Sequence, residues 1–438
     1  MKTFSLILLV LLNPGSASAQ PHDATDLHAR IDALAGDMEE QVIVWRRDVH
    51  THPELSNREF RTSKLVAEHL RSLGMEVQTG IAHTGVVGIL KGRGPGPVVA
   101  LRADMDGLPV KETTGLAYAS TEVGIYEGQE VSVMHACGHD NHVAILMGAA
   151  SVLSDLRDQF DGTIKFIFQP AEEGAPKGEK GGAGMMIEEG VLKSPDVDAV
   201  FGLHISQNGL AGTANYRSGG AMASAQRFDI EIHGRQTHGA RPWAGVDPIV
   251  IGAQIITALQ TIVARQVDVT SAPAVVTVAT FHGGIRNNII PDKAVMSGTI
   301  RTFDPDMREF IHQQIHKITE SIAGAMGATV SVTIDPGVPV THNDPALTAR
   351  MIPSLQRIYG PTGLHTAERI TGAEDFSFYQ EEVPGLFFFI GARPADIPPE
   401  KAIPNHSPYF YIDEAALLPG VRAMSSLAID YLQSTQPQ

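Results

Sequence analysis

Residues 134–142 read MHACGHDNH and concentrate more chemistry than any other stretch of this 438-residue chain. They hold its only cysteine, Cys137, and three histidines, His135, His139 and His142. A lone thiol has no intramolecular disulfide partner. Beside histidines and an aspartate it reads as a metal ligand, because thiolate and imidazole are the donors that zinc-like ions prefer. A buried cysteine with histidines on the nearby surface is the plainer alternative. A second pair, Glu172 and Glu173, adds carboxylates. A two-metal hydrolase needs several ligands, one of them able to bridge, and a free carboxylate to take a proton from water. Cys137 and His139 can supply two ligands; one glutamate would bind metal and the other act as base. Successive side chains in extended backbone point opposite ways, so a turn must aim both. Most vicinal glutamates are solvated surface. This pair follows an apolar strand and Pro170, and precedes a glycine-rich stretch at 178–184.

The elements that carry these residues have an α/β pattern. Apolar runs at 86–90, 98–101, 163–168, 199–204 and 386–390 predict strands, and 142–156 predicts a helix. Continuous apolar strands alternating with helices imply a mixed sheet covered on both faces. Three of these strands run into polar residues: Asp104 and Asp106, then Glu172 and Glu173, then His204. Ligand sites in open α/β sheets lie beyond the carboxyl ends of strands. Upstream, residues 36–73 read as two helices interrupted at Pro53, with Asn57 as a cap and Gly74 as a stop. Residues 222–337 change character. Their order β-α-β-β-α-β is the ferredoxin-like α+β unit. They read as a domain inserted into a first domain made of 20–221 and 338–438.

The composition narrows the function. Hydrophobic residues make up 43% of the chain, enough for two ordinary cores, and charged residues 19%. The net charge of −16 and the lack of any basic run argue against a nucleic-acid partner. Lys2, the apolar run 6–12 and Ala17-Ser18-Ala19 form the pattern of a secretory signal peptide over residues 1–19. Export to the periplasm or the medium is therefore expected. No later segment reads as a membrane span, and no membrane partner is expected.

Further motifs follow in order: RDVHTHPEL at 47–55, LRADMDGLP at 101–109, FQPAEEG at 168–174, GGIRNNIIPD at 283–292, GTIRTFD at 298–304, GAEDF at 372–376 and HSP at 406–408. With residues 134–142 they resemble the aminoacylase-type metallopeptidases, in the branch of N-acyl-amino-acid amidohydrolases, hippurate hydrolases and auxin-conjugate hydrolases. The resemblance spans nearly all of the mature chain. It implies that Cys137, His139, Glu173, His204 and His406 bind two divalent metal ions. Zinc or manganese are foremost, and cobalt and nickel are compatible with the same donors. It implies Glu172 as general base and acid. It makes the inserted domain a lid and dimerisation domain whose His238, in GRQTHGARP at 234–242, polarises the scissile carbonyl, often from the partner subunit. It places Asn288 and Arg301 on the substrate carboxylate, a task suited to the planar fork of arginine. Taken alone, His406 and His238 would be surface histidines, and Arg301 a strand-end ion pair. Asp104 and Asp106 are expected to support the ligands without binding metal.

Some residues depart from the pattern. Arg235, Gln236 and Thr237 precede the lid histidine where relatives carry glycine-containing stretches, and 208–210 read as an unusual turn after His204. Both bear on substrate preference, not on the metal set. The expected activity is a secreted, metal-dependent hydrolysis of N-acyl or N-aroyl amino acids to a carboxylic acid and a free amino acid, by a homodimer. A dipeptidase or carboxypeptidase on the same site is the alternative. An inactive metal- or peptide-binding homologue is less consistent with the intact Glu172 and ligand set.

Overall fold

The structure is a computed structural model and describes residues 24–434. The predicted signal peptide lies outside the described residues. Eight strands form one mixed sheet in the order Glu76–Ile81, Gly85–Lys91, Thr163–Gln169, Val98–Asp104, Ala199–Leu210, Gly385–Arg393, Ala214–Tyr216 and Leu364–Thr366. The four central strands, from Thr163–Gln169 to Gly385–Arg393, run parallel. Helices His139–Asp155 and Leu417–Ser434 cover one face, in a core with Phe166, Phe201 and Phe388. Ala183, Met186, Phe376 and Tyr379 cover the other, against Val200 and Phe387. Burial on both sides explains why these strands are uninterrupted apolar runs rather than alternating ones.

The expected strands are present and longer than their apolar runs. The strand beginning at Val98 continues through Asp104, because Arg102 and Asp104 are buried and still paired in the ladder. The strand beginning at Ala199 runs to Leu210, so the turn expected at 208–210 is instead strand, and the chain turns after it at Gly212. Helices Glu39–Thr51 and Phe60–Ser72 fill the predicted helical region, with Ala24–Asp37 ahead of them. Asn57 is not their cap. It sits in a left-handed turn at φ 61°, and its Nδ2 donates to Glu179 and to the Lys180 carbonyl. Gly74, at φ 74°, does follow the second helix. The hairpin of Val123–Tyr126 and Gln129–Ser132 was not anticipated; its residues are mostly exposed, so it lacks a core-facing pattern.

The second core belongs to an antiparallel sheet in the order Ala274–Gly283, Lys293–Thr302, Gln226–His233 and Thr329–Ile334. Helices Pro248–Thr261 and Pro305–Ala325 pack on it through Ile251, Ile255, Leu259, Ile311 and Ile315. Asp247 and Asp304 cap these helices with their carboxylates, each followed by a proline at the first helical position. Chain order and sheet order are those of a ferredoxin-like unit. The chain enters this unit at Ala225 and leaves it at Val338. These two residues exchange both backbone hydrogen bonds, at 2.9 and 3.0 Å. One helical run, Pro248–Gln266, is long and apolar enough by composition to span a membrane, contrary to the sequence reading. Its apolar character has a local cause: one face fills the core, and the other leaves Ile249 and Val250 exposed.

Candidate metal centre

The carboxyl ends of three parallel strands meet at one cavity of about 840 Å³, reached by Cys137, Glu172, Glu173, His204 and His406. Cys137 is the hub. Its Sγ lies 3.3 Å from His204 Nε2 and 3.3 Å from His406 Nε2. His406 Nε2 is also 3.0 Å from Glu173 Oε1. Two donor groups, Cys137–His139–His204 and Cys137–Glu173–His406, each have ligand atoms within 4.8 Å of one another and share the thiol.

Local backbone geometry sets this convergence. Gly138 lies between two donors at φ 96°, and a Cβ there would come within 2.5 Å of Ile205 Cγ2. Only glycine fits, and the helix starts at His139 directly after it. Ala171, at φ 52°, makes the turn that aims both glutamates into one cavity, and its N–H donates to Glu59 Oε1. His406 is also left-handed, at φ 70°. Such conformations persist in non-glycine residues only where the surroundings enforce them. Here the His406 N–H donates to the Ala136 carbonyl, and Asn405 Nδ2 donates to the carbonyls of Cys137 and Ile205.

Asp106 ties the cluster together. Its two oxygens accept from Ser56 Oγ at 2.8 Å, from the N–H groups of Glu172 and Glu173 at 3.1 Å each, and face His139 Nδ1 at 3.2 Å. His139 therefore turns its Nε2 toward the cavity, where this buried atom has no hydrogen-bond partner among the described residues. His204 donates Nδ1–H to the Ile205 carbonyl at 2.8 Å, which leaves the Nε2 lone pair toward the thiol. His142 is spent otherwise: Nδ1 bonds Asp104 at 2.5 Å and Nε2 accepts from the Ile205 N–H.

Electrostatics point to missing positive charge. Burial pushes the Cys137 thiol well up, and Glu173 and Glu172 add to it. Burial likewise pushes the Glu172 carboxyl well up, reinforced by Glu374 and Glu173. Burial pulls His139 down, yet Asp104 and Asp106 push it up to about 10, so that a proton stands in for a cation. His204 is held well below its ordinary value by burial and by His142, as a neutral ligand requires. A thiol, opposed carboxylates and free imidazole lone pairs around one cavity fit a pair of divalent cations.

Two residues beside Glu172 escaped the sequence reading. Glu374 and Asp375, within the GAEDF motif, are buried close to Glu172. Arg102, itself fully buried, reaches Asp104 at 2.7 Å, Asp375 at 2.9 Å and Glu374 at 3.0 Å. Burial pushes Glu374 up to about 8 despite this arginine. Two adjacent acids followed by Phe376 were the available signal.

The remaining sequence-predicted residues, His238, Asn288 and Arg301, lie in the inserted unit, with Arg301 at the opposite end of its strand from the other two. His238 is exposed and pairs with Ile289 across a short ladder, while Gly239 N–H donates to the Asn288 carbonyl at 2.8 Å. Arg301 lies on Lys293–Thr302 opposite Val275. None of the three lines the metal cavity, and no lysine or arginine does.

Residues 100–430 match the family described as Peptidase family M20/M25/M40. The chain is 43% identical over 411 residues to thermostable carboxypeptidase 2 of Saccharolobus solfataricus, covering 93% of this chain and 99% of the relative. It is 39% identical to N-acetyl-L-cysteine deacetylase of Bacillus subtilis, covering 87% and 86%. Among solved structures it resembles a dinuclear metal-binding peptidase of Bacillus subtilis, with a TM-score of 0.73, 34% identity and coverage of 92% and 100%.

Proposed function

The chain belongs to Peptidase family M20/M25/M40, and from that premise we propose that it is an exported di-metal amidohydrolase acting on N-acyl or N-aroyl amino acids. Metal-dependent hydrolysis of amide bonds is the activity of the family. The observation that carries the rest is the shared Cys137 between two donor groups, with Glu172 beside them and outside the shared set. Cys137, His139, Glu173, His204 and His406 would hold the two ions. When bound, these ions lower the pKa of a water and polarise the amide carbonyl.

The protein's own residues do the proton work. Glu172 takes a proton from the attacking water and returns it to the leaving nitrogen, so that one water and one amide give an acid and an amine. His238 accepts the Ala240 N–H at Nδ1, at 3.0 Å, which leaves Nε2–H as a donor for the oxyanion. The cavity wall beyond the metals carries Met222, Val338, Ile370 and Phe389, which suits an apolar acyl group. Because no cation lines that wall, the substrate carboxylate falls to Asn288 and Arg301. All three lid residues must then reach the cavity from a closed lid or from a partner subunit.

A homodimer through the inserted unit is part of this proposal. Ala274–Gly283 is an edge strand of its sheet, and Ile249, Val250 and Val275 are exposed beside it. A long edge strand with apolar flanks invites pairing. Export follows from the predicted signal peptide.

The carboxypeptidase named among the relatives favours a second reading on the same site, in which the acyl group is itself an amino acid. Metal-reconstituted protein assayed on N-acetyl amino acids, hippurate and unblocked dipeptides separates the two. We expect kcat/KM to be highest on the acylated substrates; a preference for dipeptides would establish the second reading. Cys137→Ser is expected to weaken metal binding by more than about 10–100-fold, the loss that even an outer partner's removal produces. Metal analysis after dialysis checks this, and retention of two ions per chain would reduce Cys137 to packing.

A further inference from the structure

Two exposed features of opposite character remain outside this chemistry. The first is the hairpin of Val123–Tyr126 and Gln129–Ser132. It stands on the rim of the metal centre, since Ile125 and Tyr126 line a small cleft whose wall includes Glu173. Its apolar side chains face solvent, with Ile125 67% exposed. Its charges are all negative: the sequence has no lysine or arginine between Lys111 and Arg157. Glu122, Glu127 and Glu130 have no ion-pair partner among the described residues.

The second feature is a groove in the inserted unit, about 640 Å³, lined by Gly239, Pro242, Ile249, Gly283, Ile285 and Arg286. Ile285 is 96% exposed on its lip, and Trp243 stands 77% exposed in the adjoining turn. Arg286 and Asp247 are the charged residues of its lining, and Arg235 and Arg241 stand in the adjoining loop. Arg235, Arg241 and Arg286 have no ion-pair partner among the described residues, whereas the nearby Asp247 carboxylate is occupied in capping its helix.

An acidic apolar knob and a basic apolar groove complement each other in shape and charge. We propose that the hairpin of one chain seats in this groove of a second copy, with Ile125 and Tyr126 against Ile285 and Trp243, and Glu127 and Glu130 against Arg241 and Arg286. The occupant is a second copy because the groove is continuous with the free edge strand and apolar helix face on the same unit. The proposal rests on the lid reading above. His238 adjoins Gly239 of the groove, so the same seating carries His238 to the rim of the partner's metal centre.

Charge exchange tests the contact and its direction. E127R/E130R and R241E/R286E should each form a homodimer about tenfold weaker than the parent, because like charges then oppose each other. E127Q/E130Q should fall between. Mixed in equal amounts, the two charge-reversed variants should form a heterodimer of parental affinity, since both of its hairpin–groove contacts pair opposite charges again. Sedimentation equilibrium reads the affinities, and circular dichroism confirms that each variant is folded. A contact within one chain would gain nothing from mixing. Variants that dimerise like the parent, or a mixture no tighter than its components, would overturn the seating while leaving the dimer standing. A parent that stays monomeric throughout would overturn the lid reading along with it.

Discussion

Glu172→Gln is expected to fold, to keep its metals and to lose about 10²–10⁴-fold or more in turnover, the usual cost of removing a general base. The amide is isosteric but cannot accept the water's proton. The substitution is clean because the backbone at this position is fixed independently: Asp106 accepts the N–H groups of both Glu172 and Glu173. Burial pushes the Glu172 carboxyl up, and the like charges of Glu374, Glu173 and Asp375 add to it. Neutralising it relieves repulsion, so the apo protein should be no less stable. Metal content and rate must be measured on the same sample. Two ions with near-normal activity would take Glu172 out of the base role.

His238→Ala is the second large effect, and it acts from outside the cavity. His238 is exposed, lies on a different domain from every metal-ligand candidate, and presents Nε2–H because Nδ1 accepts from Ala240. A contact made only as the oxyanion forms appears in kcat more than in substrate binding. We expect kcat to fall by about 10²–10³-fold, the cost of one oxyanion donor, with both metals retained and KM little changed. An unchanged kcat would leave the inserted unit a purely structural part.

Part of the candidate site was legible because the Glu172–Glu173 pair and His204 fall where apolar runs stop abruptly, although the strand of His204 itself continues to Leu210. The runs ending before Glu172 and at His204 marked that edge of the sheet. Asp106 was harder to read. Its importance lies in four simultaneous contacts, to Ser56, His139 and two backbone N–H groups, and only the folded turn at Ala171 brings these together. Glu374 and Asp375 were missed for a similar reason, since Arg102 joins them to the site across 272 and 273 residues of sequence. Asn57 misled in the opposite way. A residue type that favours helix caps also tolerates the left-handed region, and here the tertiary contacts to Glu179 and Lys180 decided. The hairpin at 123–132 carried no periodicity, because neither of its faces is buried.

The paired hydrogen bonds between Ala225 and Val338 also bear on how such a chain can vary. They pin the entry and exit of the inserted unit side by side, so the host fold meets it as a closed loop, whatever that loop contains. The entropy of closing a loop grows only logarithmically with length, by about 0.6 kcal/mol for each doubling. A lid half or twice this size would therefore be almost equally tolerable to the catalytic domain. Its dimensions are free to be set by the substrate it covers and the neighbour it meets.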